Sequence, residues 1–353
     1  MKRFHIHLVF FVALKDETTF LTVLLFALNR SLLFPFNVIV FFQRKRPSEY
    51  EIVTTNLHFH TNNKERPFEV GQDAKMNDWY LTYRNNSPLK HDDWDAFRDP
   101  EQLVYRTYNI LQEGQEAYVT GLLNQFSERG NDQMITKQWA TDLARLYTPS
   151  RYLYHALQML ASYLHQMSPA STISNLATYQ SADHLRWLTH SAYRTCELAK
   201  TWDNIGLGDK EREYWEKDPA WQGFRELAEK ALVTWDWAEA TVVLDVVLKP
   251  AVSAAVQKQL GLAGAENGDT LLSLLNDAQM RDAERHQRQT QSLMEFAMGN
   301  EDNAGIIQGW VDKWQPLADR AIEAYCAELT DLPDAIENAK AYVTSARKSF
   351  GLK

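Results

Sequence analysis

Cysteine is nearly missing from this 353-residue chain: Cys196 and Cys326 are the only two, and they share no C-x-x-C spacing. That excludes a disulfide framework and a thiolate zinc site, and it fits a reducing cytoplasm. Both cysteines sit in helical patterns and read as buried apolar fillers. No apolar run reaches the ~18 uninterrupted residues of a membrane-spanning helix. Lys and Arg form no stripe and the net charge is -9, which excludes a nucleic-acid partner. No G-x-G-x-x-G or G-x-S-x-G occurs, and turns such as Gly206 to Gly208 lack a phosphate-cradling pattern, so nucleotide binding and serine-hydrolase chemistry are unsupported. Alternating strand patterns are absent after residue 70.

What the chain does have is length, aromatics and helical periodicity. A chain of this size buries roughly 75% of its unfolded surface and needs no staple. Eleven Trp and 15 Tyr, with the first Trp at position 79, point to thick interhelical packing and to contacts with other subunits.

Residues 1–43 have a different composition. Nine of the 16 Phe lie there, in apolar runs divided by Lys15, Asp16, Glu17, Asn29 and Arg30. Lys2-Arg3 ahead of Phe4 to Leu14 imitates a signal sequence, but no small-residue cleavage site follows. We read 1–43 as an apolar extension upstream of the functional start, 44–98 as an extended docking arm, and 99–353 as a helical domain.

The helical domain is punctuated by caps. Asp99 as N-cap, Pro100 at the first helical position and Gln102 at the third predict a helix over 99–130, with an apolar stripe of Leu103, Ile110, Leu111, Tyr118, Leu122 and Phe126. Further helices are expected over 137–146, 150–166 and 173–200. Asp218-Pro219 opens another that runs to about 248, where Pro250 breaks or kinks it. Asp269 caps a run to 298, and 304–329 and 333–350 follow. Helices of this length indicate an all-α bundle.

Two segments carry the most chemistry: Asp183-His184-Leu185-Arg186-Trp187 and Asp282-Ala283-Glu284-Arg285-His286. A di-iron four-helix bundle takes a Glu and, three residues later, a His from each of two helices, because that spacing puts both side chains on one face. Here His184 and Ala283 stand at the Glu positions and Trp187 at the first His position; only His286 is kept. Indole offers one N–H donor and alanine nothing. Glu239 or Asp245 are candidates for the remaining carboxylates, and even with both the set is incomplete. Asp183 and Arg186, like Asp282 and Arg285, are three apart and share a helix face. We expect them to cross-link the two helices through charge-assisted hydrogen bonds, with a solvated ion pair as the alternative. His155, His165, His184 and His190 lack carboxylates at matching spacings and read as packed or surface histidines. Between Ser87 and Pro100, Trp94, Phe97 and Arg98 form a candidate anchor for a subunit interface.

Taken together, the segments resemble the β subunit of the hydroxylase component of bacterial multicomponent monooxygenases of the toluene and phenol type. The resemblance runs from about residue 44 to the end and is carried by Arg46 to Glu51, Ser87 to Trp94, Phe97 to Pro100, Tyr105 to Asn109, Ala182 to Trp187, Asp218 to Phe224 and Arg281 to His286. It implies a ferritin-like helical bundle that has no cofactor of its own. Its partner would be a homologous α subunit whose Asp-Glu-x-Arg-His segments hold the di-iron centre. It further implies an α and γ partnership in an (αβγ)2 assembly, cytoplasmic and NADH-dependent, served by a separate reductase, electron carrier and effector protein. Asp183, Arg186, Asp282, Arg285 and His286 would then be structural remnants of the ligand motifs. The rival reading is an independent metalloenzyme with its own metal at His286 and Glu284, although a two-residue spacing sends those side chains to different faces.

Overall fold

Side-chain caps set most of the helix starts in the computed structural model, which describes residues 46–55 and 75–353. The apolar segment 1–43 lies outside the described residues, as does 56–74 of the arm. Within the arm, α1 (Glu49–Thr54) carries a reciprocal Ser48/Glu51 capping box, and α2 (Lys75–Tyr80) continues into a wide π-turn over Leu81–Asn85. The arm is therefore partly helical, because Ser48 and Glu51 satisfy each other's backbone donors locally.

The long helices follow: α3 (Tyr105–Glu128), α4 (Lys137–Leu146), α5 (Ser150–Met167), α6 (Ser171–Thr201) and α7 (Pro219–Leu232). A composite helix, α8, spans 237–266, and α9 (Thr270–Ala297), α10 (Glu301–Cys326) and α11 (Ala335–Ser349) complete the bundle. Thr136, Asp218, Asp236, Asp269 and Asn300 each accept a backbone N–H at the start of α4, α7, α8, α9 and α10. Among the described residues there is no strand, and no helix is long and apolar enough to cross a membrane.

The sequence expectation and the structure part at four places. The Asp99-Pro100 signal closes only a single turn: Asp99 accepts from the N–H groups of Glu101 and Gln102, then Gln102 turns to φ +47°, and α3 starts at Tyr105 with Thr107 Oγ1 accepting from Val104 N–H. The chain breaks at 233–236, before Asp236 caps α8, and passes helically through Pro250. Pro250 is tolerated because α8 widens into π-turns over Val242–Leu248 and Ser253–Gln259. The Lys249 N–H reaches back five residues to Leu244, so the ordinary ladder that a proline ring would strike is already loosened. Finally, Cys196 is exposed on α6 and is no core filler, whereas Cys326 is buried.

The core is apolar and tight. Helices α5 and α6 form the most extensive pair, and α7 on α10 is the next. A Cβ at Gly223 would sit 2.5 Å from the Ala321 Cα, so glycine is what lets α7 meet α10 at backbone distance. Trp221, Phe224 and Tyr325 are fully buried at that seam, with the Trp221 and Tyr325 rings edge to face at 5.0 Å. Helix α8 is buried on every side over Val242 to Val256, which places it at the centre, against α5, α9, α10 and α11.

Candidate functional site

Helices α5, α6, α8 and α9 surround one buried polar centre, and α3 closes it from outside by packing on α9. The three- and four-residue spacings in α6 bring Asp183, His184 and Trp187 inward, and those in α9 do the same for Asp282, Ala283 and His286. Asp183 is fully buried and takes four donors: Tyr108 Oη at 2.8 Å, Gln112 Nε2 at 2.6 Å, His286 Nε2 at 2.8 Å and the guanidinium of Arg285. Asp282 answers from the other helix, accepting from Arg186 at 3.1 Å, Trp187 Nε1 at 3.1 Å, Gln112 Nε2 at 3.1 Å and Arg285 at 3.0 Å. Each aspartate thus binds the arginine of the opposite helix as well as its own, so these ion pairs are interior and reciprocal.

Burial pushes the Asp183 carboxyl up, with Arg285 working against that shift. Burial also opposes the Arg285 charge, yet Asp183 and Asp282 hold its pKa above the ordinary value, and with four donors converging on one carboxylate the ionised pair is the state that satisfies the centre. His184 and His286 are held well below the ordinary imidazole range, first by burial and then by the positive charge of Lys249, so both rings are neutral.

Sequence reasoning missed Lys249. Its ammonium is buried against Asp245 Oδ1 and Gln180 Oε1, both at 2.6 Å, and burial lowers its pKa against the pull of Asp245. The signal was available: Asp245 and Lys249 stand at i,i+4 inside an otherwise apolar run, a position where charges survive only as a pair. Gln180 passes the network on to Gln289 at 3.1 Å, and Gln289 reaches the Asp99 carboxylate at 3.2 Å. Tyr108 and Gln112 were also missed, because Tyr108 and the exposed Ile110 and Leu111 compete for the inward face in any periodic reading.

The residues present do not fit a di-iron centre. Beside His184, Trp187, Ala283 and His286, the groups facing in from the two remaining helices are Tyr154, whose ring lies 5.7 Å from that of Trp187, and the paired Asp245 and Lys249. An ammonium and an indole repel or ignore a cation, and the carboxylates of Asp183, Asp245 and Asp282 are engaged by Arg and Lys. The space left over is a cavity of about 10 Å3 lined by Trp187, Asp245, Lys249, Ala283 and His286, room for one water. Two expectations are corrected. Glu239 is not a member of the centre; it accepts from Lys313 and Trp314 on α10. Glu284 is exposed and points away from His286, so it offers nothing to a metal there. Among the described residues no three His, Cys, Asp or Glu side chains are grouped to hold a metal ion.

The candidate anchor of the arm is largely consumed within the chain. Phe97 is buried against Phe296, Trp94 packs half-buried on Trp237 at 5.1 Å, and only Arg98 is exposed. Of the four histidines, His184 and His190 are buried while His155 and His165 are at the surface.

Residues 79–301 match the family model described as methane/phenol/alkene hydroxylase. The chain is 56% identical over 287 residues to the hydroxylase component subunit beta of the toluene-4-monooxygenase system of Ectopseudomonas mendocina, covering 81% of this chain and 88% of that one. A solved structure of toluene 4-monooxygenase with toluene in the resting active site superposes with a TM-score of 0.78 at 56% identity, over 81% of this chain and 95% of that chain. Two oxygenase components of phenol 2-monooxygenase from Pseudomonas sp. strain CF600 are similar as well: DmpL at 24% identity over 88% of this chain and 92% of its own length, and DmpN at 25% over 67% and 47%. The match of the family model to residues 79–301, with 56% identity to a hydroxylase subunit over most of both chains, places the chain in the methane/phenol/alkene hydroxylase family.

Proposed function

We propose that this chain is the non-catalytic β subunit of a toluene- or phenol-type monooxygenase hydroxylase, supporting a homologous α subunit whose di-iron centre inserts oxygen into an aromatic ring. One observation carries the reading: at the place where a metal-binding relative needs carboxylates, this chain presents Trp187, Ala283 and the Lys249 ammonium, and the carboxylate that does line the cavity, Asp245, is taken by Lys249. The 56% identity to a hydroxylase β subunit supports the same conclusion. In this reading the hydroxylase is an (αβγ)2 assembly in the cytoplasm, supplied by a reductase, an electron carrier and an effector. Asp183, Arg186, Asp282, Arg285 and His286 fasten the inner helices together; they do no chemistry on substrate.

The test is metal analysis joined to reconstitution. The purified chain, dialysed, is expected to hold no stoichiometric iron and to oxidise no toluene or phenol. Co-purified with its α partner it becomes part of an active hydroxylase. Iron that survives dialysis of the single chain, bound at His286, would overturn the proposal.

A further inference from the structure

The small cavity between α6, α8 and α9, about 10 Å3, is bordered by a buried donor and a buried acceptor that do not meet each other. His286 is 3% exposed and its Nε2 lies 2.8 Å from Asp183 Oδ2. The Asp183 carboxylate can only accept, so the neutral ring carries its proton on Nε2 and leaves Nδ1 as a bare lone pair. That Nδ1 is buried and has no hydrogen-bond partner in the protein. Lys249 is 6% exposed and spends two of its three N–H donors on Asp245 Oδ1 and Gln180 Oε1. Both residues line the cavity, and a buried donor or acceptor left unmet is costly.

Most of the remaining wall is already committed. The Trp187 N–H donates to Asp282, the Thr290 hydroxyl to the His286 carbonyl and the Gln287 amide to Tyr342, while the side chains of Ala283 and Pro250 offer no polar atom. An occupant must accept from an ammonium and donate to an imidazole nitrogen within the space of a single non-hydrogen atom. A metal ion would face the Lys249 charge, and a halide would face the Asp245 carboxylate and the His286 lone pair; neither has a proton to give. A neutral molecule with both lone pairs and protons meets every requirement.

We propose that this cavity is a binding site for one water molecule, which accepts from Lys249 Nζ and donates to His286 Nδ1. Its second proton goes to the other oxygen of Asp245 or to the hydroxyl of Ser253, which completes the three bonds usual for a buried water. Among the described residues no hydrogen bond runs directly from Lys249 or Asp245 to the group around Asp183. The water is therefore the joint between them, and it carries a continuous path from Asp245 through Lys249 and His286 to Asp183, tying α8 to α6 and α9. It also holds His286 in one tautomer, since Nδ1 can accept from the water only while Nε2 keeps the proton.

Three measurements test the site. A crystal structure of the assembled hydroxylase is expected to show one peak within hydrogen-bonding reach of both Lys249 Nζ and His286 Nδ1, with no anomalous signal. No peak, or a halide there, overturns the water and leaves the β-subunit reading intact; iron there overturns both. Histidine-selective 15N NMR of the full chain is expected to show His286 protonated at Nε2 with Nδ1 as an accepting nitrogen, and a proton on Nδ1 would refute the arrangement. Finally, Ala283→Ser and Ala283→Cys each add one atom of similar size to the cavity wall. Where the cavity is polar and wet, the serine hydroxyl can take over the bonds of the water and the thiol cannot, so the serine variant is expected to melt several degrees above the cysteine variant. A dry apolar cavity gives the reverse order, because it penalises a hydroxyl and welcomes a thiol. If neither variant keeps the helical circular dichroism of the unaltered chain, the peak and the tautomer decide.

Discussion

The seam between α7 and α10 and the centre between α6 and α9 are held by opposite means. At the seam, Gly223 against Ala321 and the rings of Trp221, Phe224 and Tyr325 exclude water mainly by shape, with Trp221 Nε1 and Tyr325 Oη each donating to one backbone carbonyl, of Arg145 and Leu146. At the centre, Asp183, Asp282, Arg285, Lys249 and Asp245 are buried charges and Arg186 a partly buried one, each of which needs a particular opposite. Shape tolerates exchange; charge in a low-dielectric interior does not, because removing one partner strands the other.

The largest expected effect is therefore at the centre. Asp183→Ala leaves Arg285 facing no carboxylate of the other helix and should cost about 3–5 kcal/mol in chemical denaturation. A loss of only a few tenths would show that the pair is not what fastens α6 to α9. Next comes Lys249→Met, which strands Asp245 and should cost about 3 kcal/mol, whereas the double change of Lys249→Met with Asp245→Leu should recover most of it. If the double variant is no better than the single, the two charges do not balance each other. At the seam, Gly223→Ala places a methyl 2.5 Å from the Ala321 Cα and should cost about 1–3 kcal/mol. An unchanged melting temperature there would mean that α7 can slide, and the contrast between the two regions would weaken.

The smallest effect is a dependence on pH. Burial pushes the Asp99 carboxyl up to about 6, above its unfolded value, so the folded chain holds that proton longer. Below the unfolded pKa both states are protonated and the group is neutral to folding. As pH rises the unfolded chain ionises first, so this group should remove about 1 kcal/mol of stability between pH 5 and 7. Asp99→Asn should flatten that part of the profile; an unaltered slope would reject the assignment.

The apolar architecture was legible in the sequence because caps and periodicity are local. Helix α4 over 137–146, the Asp269 cap and the pair of segments facing each other across α6 and α9 all follow from spacing alone. What was not legible depended on events outside any window. Pro250 reads as a break unless the π-turns on both sides are known, and Asp99 reads as a helix cap unless Gln102 is known to adopt a positive φ. Phe97 looks like an interface anchor until Phe296, two hundred residues away, is seen to cover it. Lys249 could be suspected as half of a buried pair, but its position beside His184 and His286 emerges only when α6, α8 and α9 converge.

The ammonium of Lys249 has a further consequence. A metal ion stabilises a fold in proportion to its free concentration and can be withdrawn by any stronger chelator. A cation tethered through four methylenes to the backbone has no dissociation constant. A centre fastened in this way keeps its positive charge whatever the free metal concentration around it.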